Sequence, residues 1–275
     1  MKRTFLFYIL LLSCFTLNTF AQGNLLITPM RVVFDESKQN QEFSLVNLGT
    51  DTAIYSISLV QFNMMEDGTF VKNEKPDEVQ MSAKPYLRIY PLEITLAPGE
   101  PQVVMVQCRR KAGMSSGEYR SHLYFRAVKN NSPLGLKKSD TVSSKLSIQL
   151  TPVYGLCIPV IIRTSDVNVI TTLSDIKLDS PSDSTQYLKL TINRTGNIST
   201  YGDIIVDFYP VKGKQVQISK IRGIGVYTDI VKRNMVLKLN PPSATPLGKG
   251  KLKVRYITND ETNKQVVYAA GELDI

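Results

Sequence analysis

Short runs of alternating apolar and polar residues dominate this chain. A period of two residues is that of a half-buried β-strand. The alternation is clearest at residues 42–46, 53–62, 103–109, 119–128 and 142–150. It continues more weakly at residues 187–193, 203–209, 236–239 and 251–257. No window of helical length shows an apolar stripe with a 3.6-residue period, so the pattern predicts an all-β protein.

Turn-forming residues separate these segments, as at residues 47–49, 97–99 and 240–242. Many short strands with frequent turns are typical of antiparallel β-sandwiches. The 275 residues suffice for two such sandwiches of roughly 100 residues each with their loops. The strand series is interrupted near residues 159–163. We therefore predict a first domain over 22–158 and a second over 159–275.

The first 21 residues have the layout of a signal peptide. Lys2 and Arg3 precede an apolar run over residues 5–12, and small residues end at Ala21. This pattern predicts cleavage after Ala21 and export of the mature chain. A second interpretation treats residues 11–14 as a lipobox with Cys14 as the lipidated residue, and the short apolar run before Cys14 makes it the less favoured one. Later apolar runs are far shorter than the ~20 residues that span a bilayer.

Charge and composition point away from nucleic-acid binding and catalysis. The formal charge of +9 is spread thinly, without the Lys/Arg block of a nucleic-acid-binding protein. The one histidine, His122, lies on the polar side of segment 119–128, where we expect a surface residue beside Arg120 and Arg126. Glycines at 223–225 and 248–250 lack the remaining residues of nucleotide-binding loops. We therefore predict no enzyme activity, no metal, no cofactor, and no binding of nucleotide or nucleic acid.

The two cysteines of the mature chain lie in strand-like segments. Cys108 alternates in phase with Val104 and Val106, and Cys157 lies in an apolar run. Export would permit a disulfide. The pattern favours two free thiols that pack as small hydrophobic residues.

The cleanest alternation in the chain occupies residues 141–151, after a polar loop at 129–141. Apolar Val142, Leu146, Ile148 and Leu150 share one phase with Ser144, and the other phase is polar. One interpretation is a last sandwich strand whose apolar row faces its own core. The other is an edge strand that offers this row to another protein. Periodicity alone does not separate the two.

Eight segments of the sequence carry distinctive motifs. They are ITPMRVVFD at 27–35, FSLVN at 43–47 with AIY at 53–55, LAPGEPQVV at 96–104, GEYRSHL at 117–123, YGLCIPV at 154–160, NRTGN at 193–197 and YGD at 201–203. Together they resemble PapD-like periplasmic pilus chaperones. The resemblance covers most of the mature chain and is more specific in the first domain than in the second.

This resemblance implies a fold and a mechanism. The fold is two immunoglobulin-like β-sandwich domains set at an angle. Such a chaperone binds exported fimbrial or pilus subunits by donor-strand complementation, in which it lends its last first-domain strand to the subunit. The client-binding residues would be Val142, Leu146, Ile148 and Leu150, and the further partner an outer-membrane usher.

The resemblance also implies a cleft that holds the carboxylate at the end of the client chain. Arg31 matches the first of two basic anchors, and an arginine can donate two parallel hydrogen bonds to a carboxylate. The second anchor of the family is a lysine five residues after the last apolar donor residue. That position is Gly155 in this chain. Either Arg31 acts with another basic residue, or the client terminus is held differently.

A second function class stays open at this level. The chain could be an immunoglobulin-like structural or adhesion module of an exported surface assembly. A carbohydrate-binding sandwich is less favoured because the chain has no tryptophan. Neighbouring genes for an usher and small subunits would favour the chaperone.

Overall fold

Residues 25–73, 75, 81–128, 155–180, 186–241, 247–258 and 266–275 are described by the computed structural model. Within them the chain forms β-strands and one short 3₁₀ turn at Lys84–Tyr86. The all-β prediction is confirmed, and the strands build two immunoglobulin-like β-sandwich domains. The predicted signal peptide and the alternating segment 141–151 lie outside the described residues.

The first domain begins at the start of the described chain. Its strands are β1 (Leu25–Thr28), β2 (Val32–Phe34), β3 (Asn40–Asn47), β4 (Ala53–Val60), β5 (Phe62–Met64), β6 (Phe70–Lys72), β7 (Leu87–Tyr90), β8 (Glu93–Leu96), β9 (Pro101–Cys108), β10 (Glu118–Val128) and β11 (Gly155–Arg163). One sheet has the order β1-β3-β9-β7, and the facing sheet has the order β2-β11-β10-β4-β8.

Alternation explains the core between these two sheets. Phe43 and Leu45 of β3 point inward with Val104 and Val106 of β9, and all four are fully buried. They pack against inward residues of the other sheet, including Phe125 of β10. Burial of each large apolar side chain contributes roughly 1.5–3 kcal/mol relative to exposure.

The second domain has the same architecture. Its strands are β12 (Val169–Asp179), β13 (Tyr187–Gly196), β14 (Thr200–Pro210), β15 (Val216–Val226), β16 (Lys232–Lys238), β17 (Gly250–Thr258) and β18 (Val267–Asp274). They form a sheet of order β12-β13-β16 and a sheet of order β15-β14-β17-β18. A separate buried cluster fills the space between them, with Leu188, Val206 and Tyr256 among its members.

Strand β11 extends further than the sequence pattern suggests. It pairs with β10 along its whole length, from Arg126 opposite Gly155 to Glu118 opposite Arg163. Val160 and Ile162 lie in the core of the first domain. The pairing therefore places residues 159–163 in the first sandwich, whereas the boundary expected from the sequence lies at residue 158.

Both cysteines of the described chain are free, as predicted. Cys108 is buried at the end of β9, and Cys157 is half-buried in β11. Burial raises the pKa of both thiols, that of Cys157 to about 11. Both groups are therefore protonated at neutral pH and pack as weakly polar side chains.

A hairpin made by β5 and β6 extends from the first domain onto the second. The main-chain N–H of Asn234 donates to the carbonyl of Glu66 at 2.7 Å, and that of Met64 donates to the carboxylate of Asp229. Met64 also packs with Ile161 and Tyr227 in a small buried cluster that joins the two domains. The hairpin thus fixes one side of the domain interface.

Candidate functional site

Several charged side chains lie between the two domains. The first domain contributes Arg31 from the β1–β2 connection, Glu118 and Arg120 from the start of β10, and Arg163 from the end of β11. The second domain contributes residues from the turn before β14, from the start of β14 and from the turn after β15. We call this region the interdomain cleft: Arg31, Glu118, Arg120, Arg163, Ser199, Tyr201, Tyr227 and Asp229.

Arg31 reaches across the cleft to the second domain. Its Nη1 donates to the Tyr227 hydroxyl at 3.0 Å, and its Nη2 donates to Ser199 Oγ at 3.4 Å. The guanidinium carbon lies 4.5 Å from the centroid of the Tyr201 ring and 5.5 Å from that of Tyr227. These distances are those of cation–π contacts. Neutral groups thus hold this cation.

Glu118 is a buried carboxylate at the centre of the cleft. Its Oε2 accepts from the main-chain N–H of Ser199 at 3.0 Å, from Ser199 Oγ at 2.7 Å and from Arg163 Nε at 3.2 Å. Arg163 also donates to the Ser199 carbonyl at 2.9 Å. Because the Ser199 hydroxyl gives its hydrogen to Glu118, its oxygen faces Arg31 as an acceptor.

Arg120 and Asp229 form a second ion pair between the domains. The two guanidinium nitrogens donate to the two carboxylate oxygens at 3.3 and 2.9 Å, the fork geometry that arginine favours. Arg120 also donates to the Phe62 carbonyl at 3.1 Å and stacks 4.0 Å from the Tyr227 ring centroid. Both side chains are buried, so this pair is part of the structure of the interface.

These contacts leave the cleft with unpaired positive charge. Glu118 pairs with Arg163, and Asp229 pairs with Arg120. Among the described residues, Arg31 has no carboxylate partner. An anion that entered the cleft would therefore meet a cation that is already positioned and not neutralised.

His122 is buried, and the prediction of a surface position is wrong. Its ring lies edge-on to Phe62 and Phe70 of the hairpin, with centroid distances of 5.3 and 5.8 Å. Desolvation, and secondarily the charge of Arg120, lowers its pKa to about 3. Arg120 is buried on the same face for the same reason, since the hairpin and the second domain cover it. The ring of His122 is therefore neutral, and it packs against two phenylalanine rings.

Gly155 lies under an aromatic side chain. A Cβ atom placed there would overlap the ring of Tyr124 in β10, although the residue that pairs with Gly155 in that strand is Arg126. The lysine that the resemblance would require here has no room unless Tyr124 moves. The Tyr124 ring therefore occupies the space that a lysine side chain at residue 155 would need.

Among the described residues, one strand pairs with the outer edge of β11, over part of its length. Strand β2 pairs with it in parallel at Val160, Ile161 and Ile162. In the part of the chain that the structure describes, no strand pairs with this edge at residues 155–158. Residues 155–158 form the start of β11, and segment 141–151 precedes them in the sequence. An unpaired strand edge presents N–H and C=O groups to another chain.

The structure leaves several predicted residues untested. Val142, Leu146, Ile148 and Leu150 lie outside the described residues. No group of three or more His, Cys, Asp or Glu side chains that could hold a metal ion is found in the described chain. None of its helical segments has the length and hydropathy needed to cross a membrane.

Sequence reasoning did not single out the partners of Arg31. Tyr201 belongs to the YGD motif, whereas Ser199 and Tyr227 carry no signal of period or spacing. Ser199 lies 168 residues from Arg31 along the chain, and Tyr227 lies 196 residues from it. Only the packing of one domain on the other brings them together.

The described fold was compared with solved structures. The chain is similar in fold to fimbrial chaperones. It has 12% sequence identity with the YadV chaperone, covering 92% of this chain and 100% of that one, with a TM-score of 0.45. It has 10% identity with the CupB2 chaperone of Pseudomonas aeruginosa, covering 91% of this chain and 100% of that one, with a TM-score of 0.45. It has 11% identity with the chaperone DraB of E. coli, covering 91% of this chain and 95% of that one, with a TM-score of 0.42.

No protein-family model matches the chain, and no curated protein matches it either. At these identities and TM-scores, the similarity to solved structures assigns neither a family nor a function.

Proposed function

We propose that this protein is an exported chaperone that binds fimbrial or pilus-type subunits and lends them a β-strand. The proposal starts from the motif resemblance and is supported by two features of the first domain. One is the edge of β11 at residues 155–158, which has no strand partner among the described residues, and the other is the Arg31 guanidinium, which has no carboxylate partner among them.

The edge of β11 that no strand of the described chain covers is the observation that carries the proposal. Along residues 155–158, one side of the strand pairs with β10 and the other has no partner among the described residues. A subunit that lacks a strand has the complementary need, because its own sheet edge exposes unpaired main-chain groups. Strand addition satisfies both edges through main-chain hydrogen bonds.

Segment 141–151 would supply the side chains for this exchange. It precedes β11 directly, and its apolar row of Val142, Leu146, Ile148 and Leu150 has the period of a strand. The inward residues of β11, Leu156, Ile158, Val160 and Ile162, have the same even numbering. Insertion of each apolar side chain into a subunit groove would contribute roughly 1.5–3 kcal/mol before the cost of ordering.

Arg31 would bind the carboxylate at the end of the subunit chain. It lies immediately before β2, the strand that covers the remaining part of the β11 edge. A subunit strand that runs along residues 155–158 would thus end near the cleft. A charge-assisted hydrogen bond from Arg31 to that carboxylate would set the register of the added strand.

The same proposal assigns the compartment and the remaining partner. Cleavage after Ala21 would release the protein into the periplasm, where an outer-membrane usher would receive the subunit. Exchange of one strand for another needs no nucleotide, metal or cofactor. Mass measurement of the exported protein should show Gln22 at the N-terminus, and a lipidated Cys14 would contradict this assignment.

Affinity purification from the periplasm tests the strand proposal. Ile148→Arg should leave the chain folded, with a melting temperature within a few degrees of wild type, and should abolish co-purification of subunits. A charge would then enter an apolar groove without a partner. Ser147→Arg is the matched control, because it adds the same charge on the polar phase of the segment.

Two results would overturn the strand proposal. Normal capture by Ile148→Arg would exclude this row as the donor strand. Loss of folding by Ile148→Arg, with Ser147→Arg stable, would show that the row belongs to the core of the first domain.

A further inference from the structure

The partners of Arg31 all belong to the second domain. Its two hydrogen bonds go to Tyr227 and Ser199, and its ring contacts are with Tyr201 and Tyr227. The first domain therefore supplies the cation, whereas the second domain sets the position and orientation of its guanidinium.

The Tyr227 hydroxyl has a hydrogen to spare. It accepts the hydrogen bond from Arg31 Nη1 at 3.0 Å. A phenol can accept and donate at the same time. Among the described residues, no acceptor takes the Tyr227 hydrogen. The guanidinium also has more N–H donors than its two hydrogen bonds use.

The ring of Tyr227 is held on several sides, so the hydroxyl is fixed in place. Arg120 stacks on the ring at 4.0 Å, Phe70 lies 6.0 Å away, and Met64 packs in the same buried cluster. The hydroxyl and the Arg31 guanidinium thus form a preorganised pair of donors. A carboxylate has two oxygens, and such a pair can serve both of them.

We propose that the Tyr227 hydroxyl is the second group that binds the client's terminal carboxylate, beside Arg31, in place of a basic side chain at residue 155. Tyr201 acts as a positioning residue that holds the guanidinium by its ring face. This inference rests on the proposed function, because it assumes a client chain that ends in the cleft. It makes the second domain necessary for recognition of the client terminus.

The arrangement at Gly155 is consistent with this division of roles. Tyr124 covers the position where a lysine would start, so no cation can extend from there without moving the ring. The neutral phenol of Tyr227 would supply the second hydrogen-bond donor to the carboxylate. It adds a donor without adding a second unpaired charge to a cleft that already contains Arg31, Arg120 and Arg163.

A pair of synthetic peptides tests the proposal with the full mature chain. Each has about twelve residues of alternating valine and serine, as a strand-addition ligand requires. One ends in a free carboxylate and the other in an amide. Fluorescence anisotropy of the labelled peptides gives both dissociation constants, and their ratio is the carboxylate preference. Wild type should prefer the carboxylate by roughly tenfold or more.

Tyr227→Phe keeps the ring and removes only the hydroxyl. It should reduce the carboxylate preference at least threefold and leave the affinity for the amide peptide unchanged. Tyr201→Leu should also lower the carboxylate preference. Tyr201→Phe should retain it, because the ring of Tyr201 contacts Arg31. Tyr90→Phe is the control, since this tyrosine is exposed on the first domain, away from the cleft.

The outcomes separate this inference from the proposed function. If Arg31→Ala abolishes the preference and Tyr227→Phe retains it in full, the role of Tyr227 is excluded and the chaperone proposal stands. If wild type binds neither peptide, or Ile148→Arg binds both as wild type does, the strand proposal fails and this inference fails with it. A change of melting temperature alone, with the preference intact, would make both tyrosines structural.

Discussion

Arg120 of the first domain and Asp229 of the second form a buried, two-pronged ion pair, with Nη2 and Oδ2 2.9 Å apart. The exposed fractions of their side chains are 4% and 10%. A charge in such a position depends on its partner, because water no longer solvates it. The pair therefore couples the folding of one domain to the placement of the other.

Arg120→Ala should lower the free energy of unfolding by about 3–5 kcal/mol, since it leaves Asp229 buried without a partner. The double variant Arg120→Met with Asp229→Leu should recover most of this loss, because it removes both charges and keeps the volume. Urea unfolding followed by tyrosine fluorescence measures both. Lys251→Ala, at an exposed ion pair, is the control and should leave the midpoint unchanged. Equal stability of Arg120→Ala and wild type would contradict the role of this pair.

His122 should make the protein less stable in mild acid. Burial lowers its pKa in the folded chain to about 3, whereas an unfolded histidine titrates near 6.5. The unfolded state thus binds a proton first as the pH falls. The stabilisation is fully present above pH 6.5 and is lost progressively between pH 6.5 and 3, by about 1.4 kcal/mol for each pH unit.

Urea unfolding at pH 7.5, 6.0 and 5.0 measures this loss. His122→Phe should remove most of the dependence in this range, since a phenyl ring suits the space between Phe62 and Phe70. Proton NMR gives an independent check, because the chain has one histidine. Its ring signals should not titrate between pH 8 and 5 in the folded protein. A midpoint near 6.5 would show that the ring is solvated.

Gly155→Lys tests the packing of Tyr124. The added side chain should overlap the Tyr124 ring and cost about 1–3 kcal/mol, the usual range for overpacking. Combining it with Tyr124→Ala should restore the melting temperature, because the ring is the obstacle. Scanning calorimetry of the two single variants and the double variant measures the coupling. Additive effects would show that the two positions do not interact.

The thiols of Cys108 and Cys157 should react slowly in the folded protein. Burial raises the pKa of both, that of Cys157 to about 11, so little thiolate exists at pH 8. An aromatic disulfide reagent should therefore label them far more slowly than it labels free cysteine. In urea, both should react at once. Absence of any reactive thiol in urea would instead reveal a disulfide.

Much of the fold could be predicted from the alternation of residues. Segments 42–46, 53–62, 103–109 and 119–128 coincide with β3, β4, β9 and β10. These strands have one buried and one solvated face, so their sequences alternate. Strands β12 and β15 were missed. Each contains an irregular register in its pairing, which breaks the period of two.

The candidate site was less accessible to such reasoning. Arg31 was predicted from a motif, and the structure places it in the interdomain cleft. The burial of His122 and Arg120 could not be foreseen, because the residues that cover them come from the β5–β6 hairpin and from the second domain. Alternation along β10 assigns these side chains to the polar face, but it does not indicate which other elements pack on that face.

The chain's own pattern of apolar residues was thus enough to specify an all-β protein with two cores, because each strand records the burial of its faces in its own sequence. Motifs added Arg31 and the resemblance to a chaperone family. The partners of Arg31, the neutral state of His122 and the covered position of Gly155 were decided by tertiary contacts. Those contacts join residues that are distant along the chain, and no local period or spacing encodes them.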